Sequence, residues 1–174
     1  MMKIINGNPL NLKLLLLTWV FLLGACQEDN QESRKETTDT KNIDSLYQLE
    51  VDLKEVELND EATQVALEWD HYMSTQTELE QWKDYSFSEV LSTAENLRSV
   101  TDSLRMKVPK AFNNKPIQAR LKTLSSQADM LELYVRKSDD NRAKYLQARS
   151  ILTTFVGLKR QMNEVFVEAF TIDE

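Results

Sequence analysis

His71 is the single histidine of this 174-residue chain and Cys26 its single cysteine, so chemistry that needs two of either must be completed by carboxylates. Glu68-Trp69-Asp70-His71 has the Glu-x-x-His spacing that places two metal ligands on one helix face. A di-iron centre needs that pair twice plus two further carboxylates, so one copy reads as a chance match. Bis-His haem is excluded by the missing second histidine, and covalent haem by the missing Cys-x-x-Cys-His. Haem held by His71 and Met162 competes with a simpler expectation, that Met73, Met106, Met130 and Met162 fill the core. Glu78 and Glu80 stand two residues apart and point in different directions on a helix, so they make no general acid/base pair. Asp139-Asp140-Asn141 and Asn59-Asp60-Glu61 lack the alternating ligands and central glycine of a calcium loop and read as helix caps. Gly157 is the one glycine after Gly24, which removes Gly-rich phosphate loops and nucleophile elbows. The expectation is no catalytic residue, no metal and no bound cofactor: not an enzyme.

Cys26 carries a different chemistry. Lys3 and Lys13 precede an apolar run, Leu14 to Leu23, of about ten residues, short of the roughly 20 that cross a bilayer. Gly24 and Ala25 then supply the small residues of a cleavage site, so residues 1–25 read as a signal peptide. Leu23-Gly24-Ala25-Cys26 resembles the lipobox of bacterial lipoproteins. That resemblance implies cleavage before Cys26, a diacylglycerol thioether on its sulfur and an N-acyl lipid on the new amino terminus. Two or three acyl chains hold a protein at a membrane durably, where one does not. Glu28-Asp29 is similar to the acidic lipoprotein export signal of Bacteroidetes, although the lysine of that signal is missing. The expected location is the cell envelope, lipid-anchored, with the outer membrane favoured and its face open.

Residues 26–42 form the lipidated cysteine and a tether. Gln27 to Lys41 contains no large apolar residue, so it cannot bury enough surface to offset its ordering entropy. Beyond it the apolar period is helical. Asn59 or Asp60 starts a helix running to Lys83, with Val65, Trp69, Tyr72, Met73, Leu79 and Trp82 on one face. Ser86 and Glu89 form a capping box for a second, carried by Val90, Leu91, Ala94, Leu97, Thr101, Leu104 and Val108 until Pro109. Asn114 and Pro116 open a third, in which Ile117, Leu121, Leu124, Ala128, Leu131 and Val135 make a heptad-like seam. A turn at Ser138 to Asn141 leads to a fourth, with Tyr145, Ala148, Leu152, Phe155, Met162, Phe166 and Ala169 in one stripe as far as Phe170. Residues 43–58 alternate like a strand at Tyr47, Leu49, Val51 and Leu53, but a lone strand has no ladder partner, so the segment reads as an additional docked helix. Short connections make the whole an all-α, antiparallel up-down four-helix bundle over residues 59–174.

Charge is uneven along this frame. The net charge is −7 with a pI near 4.9, which excludes a generic basic nucleic-acid binder, and loss of Lys3 and Lys13 with the signal peptide takes the mature chain to −9. Residues 44–95 are strongly acidic, whereas Arg98, Arg105, Lys107, Lys110, Lys115, Arg120 and Lys122 face a single acid between residues 98 and 122. The bundle therefore has a basic end at the Val108 to Lys115 loop, which the bundle topology puts on the tether side; the simpler expectation is a solvated loop that balances the acidic tether and first helix within the molecule, and the functional one is contact with anionic lipid phosphates or an acidic partner. Trp82, Tyr85 and Phe87 gather at the opposite end, either as a binding lip or as the closure of the core.

Two envelope families are excluded by their own motifs. The small murein-linked lipoprotein shares a lipobox and helical heptads but ends in a lysine, where this chain ends Thr171-Ile172-Asp173-Glu174; small helical periplasmic chaperones carry Leu-Thr-x-x-Gln, absent here. The expected function is a non-enzymatic, membrane-tethered helical interaction module that binds another envelope protein or itself. The alternative is a bundle that holds a small hydrophobic ligand, and a weaker third is an enzyme.

Overall fold

The computed structural model describes residues 42–50 and 52–170. The chain divides into two units, Met1–Lys41 and Asn42–Glu174; the signal peptide, Cys26 and the tether thus lie outside the described residues. Those residues are all-α with no strand, and no helix among them is long and apolar enough to cross a membrane.

The first expected helix is two. Asp60–Leu67 (α1) ends at Glu68, and Asp70–Gln81 (α2) begins after Trp69, whose backbone leaves the helical region at φ −108°, ψ 81°. Burial explains the break. Ala66, Trp69 and Tyr72 are all buried at two consecutive steps of three, which on a continuous helix would rotate the apolar stripe by about 120°. Interrupting the helix at Glu68 and Trp69 keeps all three inside. Trp69 stacks on Tyr72 and leans on Phe112, and Tyr72 stacks on Phe155.

The second expected helix is also two, Phe87–Ser92 (α3) and Ala94–Leu104 (α4). Its capping box is present: Ser86 accepts the Glu89 amide while the Glu89 carboxylate accepts the Ser86 amide. Thr93 divides the pair. Its hydroxyl donates to the Val90 carbonyl at 3.0 Å and accepts the indole N–H of buried Trp82 at 3.1 Å, a local bond that competes with the helical ladder. Helix α4 stops at Leu104, short of Pro109, because the chain turns through Lys107 at φ 53°.

Lys115–Lys137 (α5) follows its sequence pattern closely. Asn114 accepts the Ile117 amide as N-cap, and Ile117, Leu121, Leu124, Ala128 and Leu131 are fully buried. After a break at residues 138–140, where Asp140 accepts the Ala143 amide, Asn141–Phe170 (α6) runs unbroken through Gly157. It buries more than the single stripe expected, adding Ile151, Val156, Leu158 and Lys159, since α5, α1 and the N-terminal segment all pack on it. Of the four methionines expected in the core only Met162 is buried; Met73, Met106 and Met130 are exposed.

Neighbouring helices run in opposite directions. Glu78 meets Asn96 and Thr75 meets Val100 between α2 and α4; Arg98 meets Asp129 and Asp102 meets Ser125 between α4 and α5. Gln127 meets Ser150 between α5 and α6, and Asn59, at the start of α1, meets Asn163 near the end of α6.

The docked helix expected over residues 43–58 is not there. Among the described residues of this segment only 42–46 are helical; residues 47–50 and 52–59 form an irregular strap laid along α6. Its carbonyls are satisfied from outside: Gln48 by the Tyr145 hydroxyl, Leu53 by the Lys159 ammonium at 2.7 Å and Glu57 by the Asn163 amide. Asn163 also accepts the Asn59 amide, and Asp52 accepts the Lys54 amide in a local turn. With these partners supplied, the strap has no need of an internal helical ladder. The alternation Tyr47, Leu49, Val51 and Leu53 thus marked a segment whose described residues are neither a docked helix nor a strand, with a turn and bend at residues 53–56.

Candidate functional site

The first described residues dock at one end of the domain. Tyr47, Phe87 and Tyr145 form an aromatic triad with ring centroids 5.4 to 5.9 Å apart, and the Asp44 carboxylate accepts both the amide (2.7 Å) and the hydroxyl of Ser88 in the first turn of α3. The chain therefore arrives beside the α2–α3 and α5–α6 turns, and the strap carries it to the far end before α1 begins. The basic loop is thus at the end opposite residues 42–47, where the described chain begins, whereas the bundle topology puts it on the side of the incoming chain.

Of the two readings of the aromatic cluster, burial fits closure of the core. Trp82 and Phe87 are buried, leaving only Tyr85 half-exposed with its hydroxyl on Gln81, so the cluster closes the core and receives the strap. The Glu89 carboxyl at this end is held below its ordinary range by its two hydrogen bonds from Ser86.

At the opposite end Arg105, Lys107, Lys110 and Lys115 are all exposed, and none forms an ion pair among the described residues. Their support is rigid. Phe112, in the short turn Lys110–Phe112, is fully buried and packs on Trp69 and Phe166. Two of the cations sit where local physics disfavours them. Lys107 occupies the left-handed region that favours glycine, and Lys115 is the first residue of α5, whose first turn contains no acid although the helix dipole prefers one there.

The remaining sequence candidates do not converge. Glu68 and His71 fall on opposite sides of the α1–α2 break, so they share no helix face. Among the described residues no three His, Asp or Glu side chains are grouped to hold a metal. Asn59 and Asp140 cap their helices.

What sequence reasoning missed is a groove of about 310 Å³ between the strap, the α1–α2 elbow and α6, lined by Leu53, Leu58, Leu67, Tyr72, Met73 and Lys159 among others. The Tyr72 hydroxyl is buried with no hydrogen-bond partner; burial first, then the Glu80 charge, push its ionisation well above the ordinary tyrosine range. Lys159 is lowered by burial against the pull of Glu80, Glu57 and Asp52. No sequence period announces this site, because its walls come from segments about 100 residues apart.

Against known protein families, curated sequences and solved structures the chain finds no match. The class that the residues themselves define is an all-α domain with one end occupied by the incoming chain and the other basic.

Proposed function

We propose that the chain is a lipid-anchored lipoprotein of the bacterial envelope, held through acyl chains on Cys26, whose antiparallel up-down four-helix bundle is a non-enzymatic module that binds an acidic partner protein at its basic end. One observation carries the choice of surface: the four free cations lie at the end remote from the aromatic triad where the chain arrives. Helix α6 has 30 residues, so it spans about 45 Å at 1.5 Å per residue. Lipid charge is screened within about 8 Å at physiological salt. Arg105, Lys107, Lys110 and Lys115 are all exposed at that far end, which suits capture of an acidic partner protein. The outer membrane is the favoured location.

The test is crosslinking in the native cells followed by purification of the lipidated chain and mass spectrometry, for the wild type and for the combined variant Lys107→Glu, Lys110→Glu, Lys115→Glu. The expected result is a stoichiometric envelope protein that the variant loses while both chains stay in the membrane fraction. An eluate unchanged by the variant would remove the basic end from the proposal, and a Cys26→Ser chain still retained by membranes would remove the anchor.

A further inference from the structure

Helices α5 and α6 carry an outer face that neither the core nor the basic end uses. On α5 the exposed positions Lys122, Ser126, Met130, Leu133 and Lys137 follow one another at steps of four and three, and on α6 Arg142, Leu146 and Arg149 do the same, so each set lies along one solvent-facing stripe. Two hydrogen bonds set their level: Gln127 donates to the Ser150 hydroxyl at 2.6 Å, and Gln147 donates to the Gln127 carbonyl at 2.9 Å. In this antiparallel pair Met130 and Leu146 therefore stand at one height, with Leu133 a turn nearer the break at residues 138–140. All three are exposed, Leu146 at 52%, and Lys137, Arg142 and Arg149 share their stripes. Most of the nearby acids are engaged elsewhere, Asp129 with Arg98, Glu132 with Arg136 and Asp140 with the Ala143 amide.

We propose that this face lies on an anionic lipid bilayer, Met130, Leu133 and Leu146 entering between the head groups while Lys137, Arg142 and Arg149 meet the phosphates. Leucine and methionine set among lysine and arginine compose the face of a helix that rests in a membrane interface, and long cationic side chains reach phosphates while their stems stay on apolar surface. The rest of the chain orients the contact. Residues 44–95 are strongly acidic, so a negative bilayer repels the strap and α1 to α3 and attracts this side. A second copy is a poor occupant, since a symmetric contact through this face sets its own cations against each other. The described chain begins with Asn42 at the end where Tyr47 packs on Tyr145, the half of the α5–α6 pair that carries these residues. With Cys26 lipidated, as proposed above, even a weak contact is favoured by its high effective concentration.

The test uses the chain from Gln27 onward, which contains the whole compact unit Asn42–Glu174 and no Cys26. Its failure would leave the anchor standing, while labelling of Cys26 by a fatty-acid probe tests the anchor alone. Co-sedimentation with phosphatidylglycerol vesicles is expected to saturate and to weaken with added salt, and binding to phosphatidylcholine vesicles to be about a hundredfold weaker. Leu133→Asp with Leu146→Asp and, separately, Lys137→Glu with Arg142→Glu, all at exposed positions, should keep the circular dichroism spectrum and weaken binding by about tenfold or more. Lys107→Glu with Lys110→Glu, at the opposite end, should change it by less than about threefold. Equal binding to the two vesicles, full binding in either folded variant, or an equal loss in the Lys107→Glu, Lys110→Glu chain would each overturn the proposal. A dimer in solution that Leu133→Asp with Leu146→Asp dissociates would overturn it as well, in favour of a second copy.

Discussion

The two ends of the domain treat charge and backbone in opposite ways. At the arrival end the incoming chain is tied down by hydrogen bonds, Asp44 holding Ser88 and Tyr145 the Gln48 carbonyl, beside the Ser86–Glu89 capping box that closes α3. At the basic end, the cations have no ion pair among the described residues, one lies in the left-handed region and one opposes its own helix dipole. Features that lower stability and remain unrelieved within a fold are commonly those that function requires. The proposal that one end holds and the other recognises rests on this contrast.

The largest effect should come from breaking the holding end. Phe87→Ala removes a buried ring that packs on both Tyr47 and Tyr145 and should cost about 3–5 kcal/mol, read from urea or thermal unfolding of the Cys26→Ser chain. A cost under about 1 kcal/mol would mean that the aromatic triad does not secure the strap. At the basic end the sign reverses. Lys107→Gly relieves the positive φ and should stabilise by about 0.5–1 kcal/mol after the added unfolded-state entropy of glycine, and a loss of stability would show that Lys107 has an internal partner.

Lys115→Glu sharpens the comparison further, because its two readouts move apart. An acid in the first turn of α5 should raise stability by about 0.3–1 kcal/mol at low salt, and the same change should reduce capture of the partner by the basic end. Stability and capture falling together would make Lys115 structural.

What could be read in advance divides along the range of the interactions. The Ser86–Glu89 box, the Asn114 cap, the α5 seam and the turn before Asn141 depend on residues within about a turn of each other, and all were legible. The Trp69 break was not legible, since Val65, Trp69, Tyr72 and Met73 fit one continuous helix and only the burial of Ala66 reveals the two successive steps of three. The strap was not, because its carbonyls are satisfied by Tyr145, Lys159 and Asn163, some 97 to 106 residues away. That single error put the incoming chain and the basic residues at the same end. The cations themselves could be counted from sequence; their position relative to residues 42–47 needed the strap.

The smallest expected effect lies between the two ends, where Lys159 and Tyr72 titrate against each other. Burial lowers the Lys159 ammonium below its ordinary value, so between that lowered value and about pH 10.4 the unfolded chain binds more protons than the folded one. Stability should rise with pH across that window. Tyr72 works the other way: its raised ionisation keeps it neutral in the fold above about pH 10 while the unfolded tyrosine ionises, and stability should then fall. Urea midpoints measured from neutral pH to about pH 11 should thus climb and turn over. Tyr72→Phe should soften the downturn, and Lys159→Met should flatten the climb. A climb that survives Lys159→Met unchanged would show that the strap carbonyl and nearby acids offset the burial of the ammonium fully, and that the groove beneath the strap is more polar than its apolar walls imply.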